Sequence, residues 1–327
     1  MIKFFRQSYA VQYVILAMMA VAFWIPTFIA GKVPSYLGSP TTPLFNYIEQ
    51  MLKFSPYAKL VFAFLLMLIE ALLFNAILVE NQIVGKVSTM GGFVFILLMN
   101  LTRTQVNFYP FVSAMVFILL VLREIYKIYL TPKPELGLLK AGIFIALASM
   151  CYFPSIILIL WALVALPVLK KGSLRWQLIP ITGFLFTYFL YFSGVFLFGD
   201  FLSTMEGYGD WFLELELSVE GFNLKNIILL SFIIVSAILL YFGGGNANFE
   251  KTVAVRSKMT VSVLLVVFAV VLLFLGGNIL WNGLVFMALA IIIAYEFSYM
   301  GNTAWTELFL TVFLLLVIAN HYYFKLM

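Results

Sequence analysis

A chain of 327 residues that is 64% hydrophobic and only 10% charged cannot fold in water, because most helices cut from it are apolar on every face. Mean hydropathy is +1.10 and the formal net charge +5. One cysteine and one histidine exclude an internal disulfide and a multi-residue Cys or His metal centre. The fold class expected is all-α, a polytopic membrane helix bundle, with no cofactor, no metal and no nucleic-acid partner.

In chain order, Lys3 and Arg6 precede an apolar stretch from Val11 to Ala30. The stretch is too long for a signal peptide and lacks a small-x-small cleavage site, so it reads as an uncleaved first helix. A crossing takes about twenty apolar residues, fewer where neighbours shield the helix. On that basis spans fall at 13–30, 58–79, 87–101, 109–122, 141–153, 155–169, 177–198, 226–242, 259–275, 279–295 and 304–320, about eleven in all. They form a single transmembrane domain, 1–327, with a core over 1–224 and C-terminal helices over 225–327.

The apolar run Ala141–Leu169 is long for one crossing and short for two, and it contains Cys151-Tyr152-Phe153-Pro154. Charge decides between the readings, because cytoplasmic loops carry the excess of Lys and Arg. If the run turns at Pro154, Lys3, Arg6, Lys86, Arg123, Lys127, Lys133, Lys140, Lys170, Lys171, Arg175, Lys251, Arg256 and Lys258 share one side, thirteen of nineteen cations. A single helix would divide them. The two-helix reading therefore puts the N-terminus on the cytoplasmic side of the membrane. Asn107-Phe108-Tyr109-Pro110 repeats the aromatic-proline turn before a run closed by Arg123.

The two outer loops, 31–57 and 199–224, carry structure of their own. Thr42-Pro43 starts a helix with Leu44, Phe45, Tyr47, Ile48, Met51, Leu52 and Phe54 on one side and Asn46, Glu49, Gln50 and Lys53 on the other. That pattern predicts an amphipathic helix in the interface. The second loop carries Asp200, Glu206, Asp210, Glu214, Glu216 and Glu220 with no cation before Lys225. Tyr208, Trp211, Phe212, Leu215, Val219 and Phe222 share one face of a helix there. Its sign disfavours anionic lipid and favours the protein itself or a basic envelope partner.

Polar groups within the spans are the next candidates, since burying them in hydrocarbon is expensive. Glu70 sits mid-span and is read either as protonated structural glue or as a functional group. Asn75 and Asn100 are weaker, because amides often bridge helices. Arg103, in Thr102-Arg103-Thr104-Gln105, lies on the outer side against the charge rule. With Lys53 and Lys59 it makes a candidate site for a lipid phosphate.

The first helix, the outer loop with an amphipathic helix, and the paired short helices with aromatic-proline turns resemble the GT-C class of integral-membrane glycosyltransferases. Phe4-Phe5-Arg6-Gln7-Ser8-Tyr9 is also similar to a family of Gram-negative polytopic inner-membrane proteins. The GT-C resemblance covers roughly residues 1–220 and implies a polyprenyl-phosphate-linked sugar as substrate at the outer leaflet. It further implies an outer carboxylate as base: Glu49, Asp200 or Asp210. Gly31-Lys32-Val33-Pro34-Ser35-Tyr36 lacks the acid that the class carries just after its first helix, so Glu49 is the nearest one. Three functions stay open on the sequence: such a transferase, a non-catalytic subunit of an envelope, secretion or translocation complex, and a transporter or lipid flippase using Glu70.

Overall fold

The computed structural model describes residues 2–7, 9–33, 42–101, 107–129, 131–213, 253–275, 283–299 and 303–322. All regular structure among them is helical: α1 Ile2–Phe5, α2 Ala10–Ala30, α3 Pro43–Met51, α4 Pro56–Glu80, α5 Met90–Met99, α6 Pro110–Ile128 and α7 Glu135–Cys151. A 3-10 helix, Phe153–Ile157, then leads into α8 Leu158–Val168, followed by α9 Leu174–Phe198, α10 Phe201–Leu213, α11 Val253–Leu275, α12 Leu284–Tyr299 and α13 Thr303–Tyr322. Proline opens α3, α4 and α6, where its missing N–H breaks no intrahelical bond.

Among the described residues, four helical stretches are long and apolar enough to cross a membrane, Ala10–Ala30, Pro56–Glu80, Leu174–Phe198 and Val253–Val271, the mark of a multi-pass membrane protein. Shorter apolar helices, Met90–Met99, Phe153–Val168 and Leu284–Tyr299, accompany them. The sequence-based figure of about eleven crossings is not established by these lengths. The span expected at 226–242 lies outside the described residues.

The short helices owe their length to their position. Every residue of α5 is buried, as is every residue from Leu284 to Phe297 of α12. The two helices pack on each other, between α4 and α11. Shielded from lipid by neighbours, they do not have to match its thickness. By contrast, only 11% of the apolar window of α9 is buried, so its Leu185, Phe186, Phe189 and Leu190 face outward.

Contacts fix the direction of each helix. The Arg123 guanidinium meets Glu80 at 2.8 Å while Phe62 meets the Phe108 ring at 6.1 Å, so α4 and α6 run parallel. Phe111 and Tyr152 touch edge to face at 5.7 Å, which makes α6 and α7 antiparallel. Helices α7 and α9 are parallel again: Arg175 reaches Glu135 at 3.5 Å near their starts, and the Ser149 and Tyr188 hydroxyls share a hydrogen bond of 2.8 Å further along. The residues between them, 152–173, must therefore bring the chain back to its starting end. The backbone leaves the helix at Tyr152 (φ −140°, ψ 98°) and returns through the 3-10 turn and α8. This is the two-helix reading of Ala141–Leu169, and it places Lys170, Lys171 and Arg175 at the same end as Glu135.

The other elements join the same two ends. At the basic end Thr89 N donates to Phe5 O at 2.9 Å, the Arg6 guanidinium donates to Phe297 O at 2.8 Å and Lys258 Nζ donates to Asn81 Oδ1 at 2.9 Å. At the far end Asn107 Nδ2 donates to Lys32 O at 3.1 Å and Phe153 meets Tyr208 at 5.1 Å.

Candidate functional site

The far end gathers α3, the turns flanking 102–106, the Tyr152 turn and α10. Helix α3 is held there by Phe45, which is fully buried and stacks on Phe108 at 5.0 Å. Phe45 and Glu49 are its buried residues, one turn apart on the same face, while Tyr47, Met51 and Phe54 are exposed. This corrects the wheel drawn from sequence, which put Glu49 on the outward polar side. The reason is Lys59: its Nζ donates to Glu49 Oε1 at 2.7 Å, with the Glu49 side chain 0% and the Lys59 side chain 11% exposed. A charge-assisted bond that short offsets the desolvation that otherwise keeps a carboxylate out of a packed face.

The remaining candidates at this end divide by exposure. Lys53 is exposed just past α3. Asp200 and Asp210 are also exposed. Asp200 has a local duty, since its Oδ1 accepts from Ser203 N at 3.3 Å, the arrangement of a helix N-cap opening α10. Arg103 falls outside the described residues, between Leu101, which is buried, and Asn107, which bonds to Lys32. Residues 214–224 of the acidic loop likewise fall outside them.

The intramembrane candidates behave differently from one another. Asn75 donates from Nδ2 to Ser88 O at 3.0 Å and accepts at Oδ1 from Gly92 N at 3.1 Å. The Ser88 hydroxyl accepts from Met90 N at 3.1 Å. A helix start leaves its first N–H groups without intrahelical partners, and Asn75 and Ser88 satisfy two of them for α5 in a place water does not reach. Asn100 Nδ2 donates to Ile96 O at 2.6 Å within its own turn. Glu70 is 1% exposed, and its Oε1 has no hydrogen-bond partner.

One cluster was not singled out by sequence. Tyr188, Tyr208, Phe153, Ala146 and Met150 form a small core of their own at the far end, with Leu44 of α3 packed against it. Burial holds the Tyr208 hydroxyl above the ordinary tyrosine range, with the neighbouring phenols of Tyr188 and Tyr191 adding to it. The available signal was the i, i+3, i+4 run of aromatics Phe184, Tyr188, Tyr191 and Phe192, hidden by the general abundance of aromatics. A small apolar crevice between α5, α12 and α13, lined by Val94, Leu97, Ile293, Phe297, Leu310 and Phe313, offers no polar group for chemistry. Among the described residues no group of three His, Cys, Asp or Glu side chains is placed to hold a metal ion.

No protein-family model matches the chain, and no curated protein or solved structure is similar to it at a significant level.

Proposed function

We propose that the chain is an integral inner-membrane transferase of the GT-C kind, taking a polyprenyl-phosphate-linked sugar at its far end, with that end in the periplasm and the N-terminus in the cytoplasm. The observation that carries this reading is convergence. Lys53, Asn107 and the acidic residues of α10 lie at the end opposite Arg6, Arg123, Lys170 and Arg175. The excess of cations at one end supports the orientation. In this reading Arg103 and Lys53 hold the lipid phosphate, since a guanidinium offers two parallel donors to its oxygens. Asp210, exposed on α10, is the base. The buried Glu49–Lys59 pair braces α3 beside them.

The test is binding of a radiolabelled polyprenyl phosphate to the protein in proteoliposomes, followed by sugar transfer to a lipid acceptor. Arg103→Ala should weaken binding at least about tenfold, the loss of a charge-assisted contact worth roughly 1.5–3 kcal/mol, and Arg103→Lys should recover part. Asp210→Asn should keep binding and lose transfer. Wild-type protein that binds no polyprenyl phosphate, or an Arg103→Ala variant that binds equally, overturns the proposal.

A second reading draws on α9 and α10. The outward apolar side chains of α9 and the exposed Asp200, Glu206 and Asp210 of α10 suit a subunit that docks a basic envelope protein. Stoichiometric copurification of such a protein, lost on Glu206→Lys with Asp210→Lys, would favour it over the transferase.

A further inference from the structure

Helix α4 carries a buried polar stripe along one edge. Lys59, Glu70 and Asn81 recur at eleven-residue intervals, and eleven residues make three turns with about 20° left over. All three are buried, at 9%, 1% and 4% exposure. At about 1.5 Å per residue the stripe runs about 33 Å, close to the thickness of a hydrocarbon core. Each terminus of the stripe is tied off: Lys59 by Glu49 at the far end, and Asn81 by Lys258 at the basic end. From Lys258 the polar contacts continue, with Ser262 Oγ donating to Lys258 O at 2.9 Å and sharing a hydrogen bond of 2.6 Å with the Tyr126 hydroxyl. Only the middle member, Glu70, keeps an oxygen without a partner.

Helix α6 places a second such atom at the same height. Glu70 and Ser113 each lie ten residues before a member of the Glu80–Arg123 bridge, which on parallel helices sets both at the same height, about 15 Å from that bridge. Ser113 is 4% exposed and its Oγ also lacks a partner. The helices packed most closely on α4 are α2, α5 and α6. The titratable group on α2 is Tyr13, near the basic end, and α5 has none. On α6, Arg123, Glu124, Tyr126 and Lys127 all lie beyond the height of Ser113 toward the basic end. Glu70 thus has no countercharge at its level on these helices, and an ionised carboxylate without one is the costly form in an apolar interior.

We propose that Glu70 is a proton-binding site at mid-depth of the bundle, exchanging its proton with bulk water. The step is Glu70 carboxyl to carboxylate plus a proton, which leaves to bulk water and returns from it; no other reactant is needed. This inference does not rest on the transferase reading, and its readout involves no lipid substrate.

The experiment is infrared difference spectroscopy of the protein in liposomes across a pH step. A carbonyl band of a protonated carboxyl should appear in the wild type, vanish in Glu70→Gln, and shift on transfer to heavy water. Glu70→Asp, which keeps the carboxyl one methylene shorter, should displace the same band. No band distinguishing wild type from Glu70→Gln overturns the site. A band that never exchanges overturns the proposed exchange. If Glu70→Gln does not fold, the Glu70→Asp displacement decides: an unmoved band overturns the site.

Discussion

Gly142 of α7 and Pro180 of α9 are in backbone contact: a Cβ built on the glycine would collide with the Pro180 carbonyl oxygen. The contact is reciprocated at Gly183, whose Cβ would lie 2.5 Å from the Leu139 carbonyl oxygen. Two parallel helices approach this closely where each sets a glycine against the other's backbone, the use membrane helices commonly make of small residues.

Gly142→Ala should therefore push α7 and α9 apart and cost roughly 1–3 kcal/mol or more, as overpacking does. Gly194, on the same α9, has nothing within 4 Å of its virtual Cβ, so Gly194→Ala should be neutral or stabilise by up to about 1 kcal/mol through helix propensity. Thermal unfolding of both variants in detergent checks the pair. Equal melting temperatures would contradict the close approach.

The parallel α7 and α9 also predict sidedness. Ser173 precedes α9 and Ser203 follows it, both exposed and at opposite ends. With Cys151 replaced, a cysteine at Ser203 should react with an impermeant thiol reagent on intact cells, and one at Ser173 only after lysis. Cys151 itself is buried, and should stay unmodified until the protein is denatured. Labelling of both introduced cysteines from one side would refute the return of the chain through α8.

Two ion pairs that look alike on paper should differ in energy. Glu49→Ala strands Lys59 in a buried setting and should cost about 3–5 kcal/mol. Glu80→Ala breaks a bridge whose partners are 35% and 40% exposed, and should cost at most about 1 kcal/mol. Replacing Glu49 and Lys59 together, by Leu and Met, should recover most of the first loss. Chemical denaturation of the single and double variants measures each.

Asn75→Leu should cost about 1–3 kcal/mol by leaving Gly92 N–H and Ser88 C=O buried without partners. The damage should concentrate in α5, so amide exchange at the start of that helix should quicken more than elsewhere. Uniform acceleration across the bundle would argue against Asn75 as the cap of α5.

Sequence revealed the helices better than their surroundings. The break at Pro154 was legible because charge sides with one topology, and the turn falls where the proline forbids a continuing helix. The start of α7 at Glu135, six residues before the apolar run, was not legible, since hydropathy marks where lipid begins and not where hydrogen bonding does. Nor did composition separate α5 from α9: both are apolar all round, yet one is enclosed by protein and the other faces outward. Uniform apolarity carries no direction. Glu49 was misplaced for a related reason, because a helical wheel sends every charge to water unless it knows the partner, and Lys59 lies on another helix.

The hold of Arg6 on the Phe297 carbonyl spans 291 positions of chain, and this sets an order of biosynthesis. The first turn of the polypeptide cannot reach its final attachment until α12 has left the ribosome, and α5, too short to be kept in lipid on its own hydrophobicity, waits for the same helix as its neighbour. Until then the carbonyl that receives Arg6 is not in place and α5 lacks one of the helices that cover it. Truncation anywhere before α12 should accordingly yield a rapidly degraded product, and not a smaller stable bundle.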